Sequence, residues 1–243
     1  PVWAVAGFDE RARYLRRAVR VLLANQDEDA ATIARETGKP AVEILAAELV
    51  SACDAIEFYA KRAKRLLAER SVPLHLMKNK KLRLLYKPLG VVGIVTPWNF
   101  PFILSLNPTV QALAAGNAVV LKPSEATPYS GRLVEELFRA AGVPDGLVTC
   151  VLGDGETGAA LVEAGVDKIA FTGSGRTGRK VAEACGRQLI PCTLELGGKD
   201  PMIVCADADL ERAANGAVFG AFANAGQVCV STERVYVVDS VAD

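Results

Sequence analysis

Residues 168–187 read K-I-A-F-T-G-S-G-R-T-G-R-K-V-A-E-A-C-G-R. A short apolar strand over 168–172 enters a glycine-rich turn, and a helix over 175–187 leaves it. The same alternation extends both ways. Upstream, the pattern predicts helix 101–115, strand 117–121 (N-A-V-V-L), helix 127–141, strand 147–152 and helix 155–164. Downstream come strands 192–196 and 201–205, helix 207–223 and strand 234–238. Short apolar strands alternating with helices indicate an α/β domain with a mainly parallel sheet. Ligands in such sheets bind beyond the carboxyl ends of the strands.

The first ~70 residues read as helices instead. Leu15, Ala18, Val19, Leu22 and Leu23 form one apolar stripe. A second helix over 27–37 ends at Gly38-Lys39-Pro40, and a third runs from about Val42 to Leu67. Residues 81–96 then read as two strands broken by Pro88-Leu89-Gly90.

A chain of 243 residues suffices for one large domain or two small ones. With 51% hydrophobic residues it can bury a sizeable core. Its 28 basic and 28 acidic residues cancel, so no field draws it to nucleic acid or an anionic membrane. The one dense basic run, K-N-K-K-L-R at 78–83, reads as a solvated strand edge in preference to a binding patch. No apolar stretch approaches the ~18–20 residues of a membrane span. The start resembles no secretory signal, and beginning at Pro1 it reads as processed or cut from something larger. Cytoplasmic redox conditions suit the six cysteines, five of which fall in apolar patterns and read as buried small hydrophobes. With no C-x-x-C pair and one histidine, His75, no metal site is expected.

Four motifs carry chemistry. G-S-G-R-T-G (173–178) matches the dinucleotide fingerprint G-x-G-x-x-G, and Ser174 and the helix N–H groups could hold a pyrophosphate. A plain glycine-rich turn is the other reading. K-P-S-E (122–125) sets Lys122 and Glu125 at a strand end, where both can bond ribose hydroxyls and the carboxylate would repel a 2′-phosphate. A surface ion pair is the other reading. T-P-W-N-F-P (96–101) is a rigid loop that can aim the Asn99 amide as an oxyanion donor, or a structural turn around a buried Trp98. Cys229 lies in the loop F-A-N-A-G-Q-V-C-V-S (222–231), thirty-four positions after Glu195 in L-E-L-G-G-K. A thiol, a carboxylate and an amide can serve as nucleophile, base and oxyanion donor.

Together these stretches, with E-T-G-K-P (36–40) and R-V-Y-V (234–237), resemble the NAD(P)-dependent aldehyde dehydrogenase superfamily over almost the whole chain. The resemblance implies a Rossmann-like, mainly parallel sheet flanked by helices, and oxidation of a small-molecule aldehyde to a carboxylic acid. It implies Cys229 as nucleophile, Asn99 and the Cys229 N–H as oxyanion hole, and Glu195 as the base that activates water. It implies NAD as cofactor, with NADP possible. Lys122 and Glu125 would hold its ribose and Ser174 its pyrophosphate. Thr96, Pro97, Trp98, Gly173, Leu196 and Gly197 would line its cleft. Glu195 is therefore not read as the fingerprint's ribose acid.

The resemblance also implies a division of the chain. Residues 1–197 would be the cofactor-binding domain, with 79–95 part of an oligomerisation hairpin, and 198–243 the start of a catalytic domain. Family members are longer, so the chain reads as truncated, and its parent as a homodimer or homotetramer. A non-catalytic dinucleotide-binding fragment is the alternative. Phe102 and Leu106 would face either the aldehyde tunnel or the core. V-C-V-S-T-E-R-V-Y-V is loosely similar to semialdehyde-oxidising members.

Overall fold

The computed structural model describes residues 2–242; Pro1 and Asp243, the two ends noted above, lie outside it. A short α1 (Val2–Val5) precedes α2 (Phe8–Ala24) and α3 (Gln26–Thr37). α4 (Ala41–Glu43) runs through a π-helical stretch, Ile44–Val50, into α5 (Ser51–Leu66). A two-stranded antiparallel ribbon follows, β1 (Arg70–Val72) with β2 (Leu82–Leu84). The chain then alternates: β3 (Val91–Val95), α6 (Ile103–Ala114), β4 (Ala118–Lys122), α7 (Pro128–Ala140), β5 (Val148–Cys150) and α8 (Gly155–Glu163). β6 (Lys168–Gly173), α9 (Gly175–Gln188) and β7 (Cys192–Leu196) complete the main sheet. β8 (Asp200–Val204), α10 (Leu210–Phe222) and β9 (Thr232–Val237) form a separate parallel βαβ unit.

The main sheet is fully parallel, in the order β5-β4-β3-β6-β7. Both faces are covered, and the strand period shows how. Val92 and Ile94 of β3 and Val119 and Leu121 of β4 join the core beneath α2, α5, α6 and α7. Val91, Val95 and Val120 point the other way, onto a second cluster with Leu161, Ile169, Phe171 and Cys185. This alternation is why the strands read as continuous apolar runs.

Several expectations are corrected. Leu23 is 54% exposed, because the stripe of α2 needs only Leu15, Ala18 and Leu22 to fill its contact. Phe102 and Leu106 are fully buried in the first cluster, so they serve the core. Trp98 is 47% exposed and is not a buried anchor. Of the five cysteines expected to be buried, only Cys185 is; Cys53, Cys150 and Cys192 are half-buried, and Cys205, just after β8, is exposed. Of residues 79–95, only Leu82–Leu84 enters the ribbon, while Val91–Val95 sits at the centre of the main sheet. Among the described residues no helix is long and apolar enough to cross a membrane.

Candidate active site

Strand order fixes where a ligand can sit. From β3 the chain moves outward through β4 and β5, then returns to lay β6 on the other side of β3 and continues to β7. The carboxyl ends of β3 and β6 therefore flank the topological switch point, where a crevice opens. The loop after β3 is T-P-W-N-F-P, and the turn after β6 carries Gly173 and Ser174. In register, Val95 pairs with Lys122 and Phe171, and Gly173 with Leu196. All the candidate residues before 198 thus gather along one edge.

Each is held by specific contacts. Thr96 is buried; its N–H donates to Lys122 O (3.1 Å), and its hydroxyl meets Ser105 Oγ at 2.8 Å. Ser105 also donates to Pro101 O, so the rigid loop is pinned to α6 at both ends. The Lys122 side chain is 5% exposed and reaches Glu125, which is 64% exposed, at 3.3 Å. A backbone hydrogen bond, then Lys122, holds the Glu125 carboxyl below the usual range. Gly178 lets α9 approach β7: a Cβ there would lie 2.6 Å from Leu196 Cδ2. That is the close helix–strand packing asked of the third fingerprint glycine.

Ser174 differs in detail from expectation. It is the N-cap of α9, its oxygen accepting from Thr177 N–H at 3.2 Å. The hydroxyl is already committed to the helix, which leaves the first N–H groups of α9 as the natural anion donors.

Cys229 is exposed, in the turn between the 3-10 segment Ala223–Gly226 and β9. Asn224, Ala225 and Gly226 all adopt left-handed backbone (φ 51°, 55° and 75°). Such geometry costs about 1–2 kcal/mol for a non-glycine residue, so something must hold it. Three amides do. Asn99 Nδ2 donates to Gln227 O at 2.9 Å. Asn224 Nδ2 donates to both Asn99 O and Gln227 O at 3.1 Å. Gln227 Nε2 returns a bond to Asn224 O at 3.3 Å. Flipping the Asn99 amide would set its oxygen against the Gln227 carbonyl, so the donor orientation is determined. Asn99 Oδ1 is buried and has no partner among the described residues. One Nδ2 hydrogen serves Gln227, and the second remains for another acceptor.

Glu195 is the penultimate residue of β7 and is exposed. It enters no ion pair among the described residues. Its strand leads into Gly198, where a Cβ would stand 3.1 Å from Cys229 O. Lys199 pairs with Glu233, and Arg234 donates to Lys199 O at 2.6 Å. The L-E-L-G-G-K segment is thereby tied to the Cys229 turn.

Sequence reasoning missed Glu48. This fully buried acid accepts from the Phe102 and Ile103 N–H groups and from Lys39. The available signal was an acid inside the apolar run I-L-A-A-E-L-V (44–50).

An amide after β3 and a carboxylate in β7 thus stand at the carboxyl edge of a parallel sheet, and the amide is bonded to the turn that carries a thiol. The sequence matches the aldehyde dehydrogenase family across residues 1–243, and the chain belongs to that family. It is 46% identical over 238 residues to a 4,4'-diapolycopene aldehyde oxidase of Methylomonas sp, covering 97% of this chain and 45% of that protein. It is 40% identical to a glutarate-semialdehyde dehydrogenase of Pseudomonas putida, covering 100% of this chain and 50% of that one. Among solved structures, PnpE in complex with nicotinamide adenine dinucleotide superposes with a TM-score of 0.94 at 36% identity, over 100% of this chain and 50% of PnpE. An NADP-dependent enzyme of E. coli gives 0.94 at 38%, over 99% and 50%. The chain spans about half the length of the relatives it matches.

Proposed function

We propose that this chain supplies the cofactor site and the reacting groups for NAD(P)-dependent oxidation of an aldehyde to a carboxylic acid. The observation that carries the reading is the 2.9 Å bond from Asn99 Nδ2 to Gln227 O. It joins the loop at the switch point of the sheet to the turn that bears the thiol.

The donor set suits a dinucleotide. Lys122 and Glu125 present an ammonium and a carboxylate to ribose hydroxyls, and α9 offers its N-terminus to a pyrophosphate. Trp98 and Leu196 present apolar surface on either side of the crevice. A bound NAD(P) supplies the acceptor for the hydride that leaves the substrate carbon. The Glu125 carboxylate favours a free 2′-hydroxyl, hence NAD, and NADP is accepted less readily.

The chain's own groups do the rest. The Cys229 thiolate adds to the aldehyde carbon; an S–C bond forms and the carbonyl pair moves to oxygen. The free Nδ2 hydrogen of Asn99 and the Cys229 N–H hold that oxyanion. Loss of hydride restores the carbonyl as a thioester on Cys229. Glu195 then takes a proton from water, whose oxygen attacks the thioester. The S–C bond breaks, releasing the acid and the thiolate. Residues 1–197 act as the cofactor-binding domain in this reading, and 198–243 begin the catalytic part.

The test is NADH formation with NAD and a panel of aldehydes, comparing the chain with Cys229→Ala. Turnover abolished by the substitution supports the reading. Calorimetric titration with NAD separates the parts: binding without turnover leaves a dinucleotide-binding module, and no binding by the folded chain overturns the proposal.

A further inference from the structure

We propose that E-T-G-K-P (36–40), together with Glu48, is a two-armed positioning device for the two loops of the site. One arm, Glu36, sets the loop that carries Lys122 and Glu125. The other, the Lys39–Glu48 pair, sets the loop that carries Asn99. The assignment of loops to cofactor and oxyanion rests on the function proposed above.

The helices that follow these loops, α6 and α7, share a defect. Neither has a side-chain cap of its own. Thr127 occupies the N-cap of α7, yet its hydroxyl is buried without a partner among the described residues. Uncapped N-termini leave N–H groups unpaired and concentrate positive potential. In both helices a glutamate distant in sequence fills the gap.

Glu36, at the end of α3, reaches across to α7. Its carboxylate accepts from Tyr129 N–H (2.8 Å), Ser130 N–H (2.7 Å) and Ser130 Oγ (2.5 Å). The helix start so fixed lies just after K-P-S-E. Gly38, left-handed at φ 71°, then ends α3 and turns the chain inward, its N–H bonding Ala34 O at 2.8 Å. The turn delivers Lys39 into the interior, where its side chain is 4% exposed.

There Lys39 Nζ lies 2.7 Å from Glu48 Oε1 and 4.0 Å from the centroid of the Phe100 ring. The other carboxylate oxygen of Glu48 accepts from Phe102 N–H (3.1 Å) and Ile103 N–H (2.9 Å). Residues 100, 102 and 103 are therefore gripped immediately after Asn99. Glu48 sits in the π-helical stretch 44–50, a type of irregularity frequent at functional sites. Both its oxygens are bonded, as a buried charge requires. Buried pairs of this kind add little net stability but can specify geometry. Here the geometry specified is that of the loop carrying Asn99, while Glu36 specifies that of the loop before α7.

Two variants test the arms: Glu36→Gln, and Lys39→Met/Glu48→Gln, which leaves no unpaired buried charge. Hydrogen exchange is followed over 97–104 and 124–132, with the NAD Kd by calorimetry and the kcat of NADH formation. Glu36→Gln is expected to speed exchange only over 124–132 and to weaken NAD binding about tenfold, the scale of a lost charge-assisted bond. Glu36→Asp, which keeps the carboxylate, should recover most of that affinity. The double variant is expected to speed exchange only over 97–104 and to lower kcat about 10–100-fold, with a smaller rise in the Kd for NAD because the same loop carries Trp98. Exchange rising evenly through the chain, or both variants changing the same parameter in step with Tm, overturns the proposal. So does exchange that is unaltered in both variants while the wild type binds NAD. A wild type that binds no NAD overturns the function instead, and the exchange pattern then decides the two clamps independently.

Discussion

Asn99→Ala separates a chemical role from a structural one, because its effects on stability nearly cancel. The substitution deletes the bond from Nδ2 to Gln227 O at 2.9 Å. Such a bond contributes about 1 kcal/mol net. It also deletes Oδ1, a buried acceptor without a partner among the described residues. An unsatisfied buried acceptor costs about 1–3 kcal/mol, so its removal returns at least as much as the lost bond. Gln227 O is not orphaned, since Asn224 Nδ2 still donates to it at 3.1 Å. The small space left by a half-buried side chain takes back part of the gain. The balance stays within about 1 kcal/mol, which at this chain length is about 2–4 °C in Tm. Nothing offsets the loss of a preorganised donor to the oxyanion, which costs about 10²–10³ in kcat. Thermal melts and NADH formation, measured side by side, should therefore show a nearly unchanged Tm and a rate at least about 100-fold lower. An unchanged rate removes Asn99 from the oxyanion hole. A Tm lowered by more than about 8 °C, with activity lost in proportion, makes Asn99 a structural residue and refutes the reasoning.

Gly131→Ala tests the packing of α7 on K-P-S-E: a Cβ there would stand 2.2 Å from Pro123 Cβ. Helix propensity gains about 1 kcal/mol, but overpacking against a rigid ring costs about 1–3, so urea denaturation should show net loss and calorimetry weaker NAD binding; a stabilised variant sinks this. Asp29→Asn tests a groove of about 1040 Å³ between α3 and α7, lined by Glu28, Glu36, Glu136, Arg35, Arg132 and Arg139. Burial, then Glu28 and Glu136, push the Asp29 carboxyl up to about 6 from 3.8. A raised carboxyl pKa contributes stability below about pH 4 that is lost as pH rises through about 6. The asparagine variant should equal wild type at pH 4 and exceed it by about 1–3 kcal/mol at pH 7, and identical denaturation midpoints at both pH values would dismiss the shift. Glu195→Gln should keep a burst of acyl-enzyme while slowing steady turnover, and undiminished turnover would remove Glu195 as the base.

The parts legible in the sequence were those with a local cause. Strand and helix periods located the elements of the main sheet to within a few residues, because burial on both faces leaves unbroken apolar runs such as N-A-V-V-L. The motif residues fell at strand ends for the same reason. What stayed hidden were partnerships across distance. Lys39 and Glu48 meet the loop after Asn99 over more than fifty positions, and no periodicity encodes that. Ser174 is fingerprint serine and N-cap at once, and only the helix geometry shows that the cap takes its oxygen. Trp98 is exposed although aromatic, since a rigid loop flanked by two prolines can carry a ring outward.

The contacts around Asn224 explain how a sheet edge and a separate βαβ unit can share one site. The sheet fixes Asn99 through Thr96, Ser105 and the start of α6. The βαβ unit fixes Cys229 between α10 and β9, where Ser231 Oγ donates to Gly220 O at 3.1 Å. Between the two stand Asn224 and Ala225, left-handed at a cost of about 1–2 kcal/mol each. A relaxed turn would avoid that cost, but it would also free Asn224 Nδ2 from Asn99 O and Gln227 O. The strain persists because the ring of Asn99, Gln227 and Asn224 holds it, and the same ring keeps thiol and amide in register. Positioning of the Cys229 thiol and of the Asn99 amide is thus a single structural event centred on Asn224, and a change at Asn224 should move both.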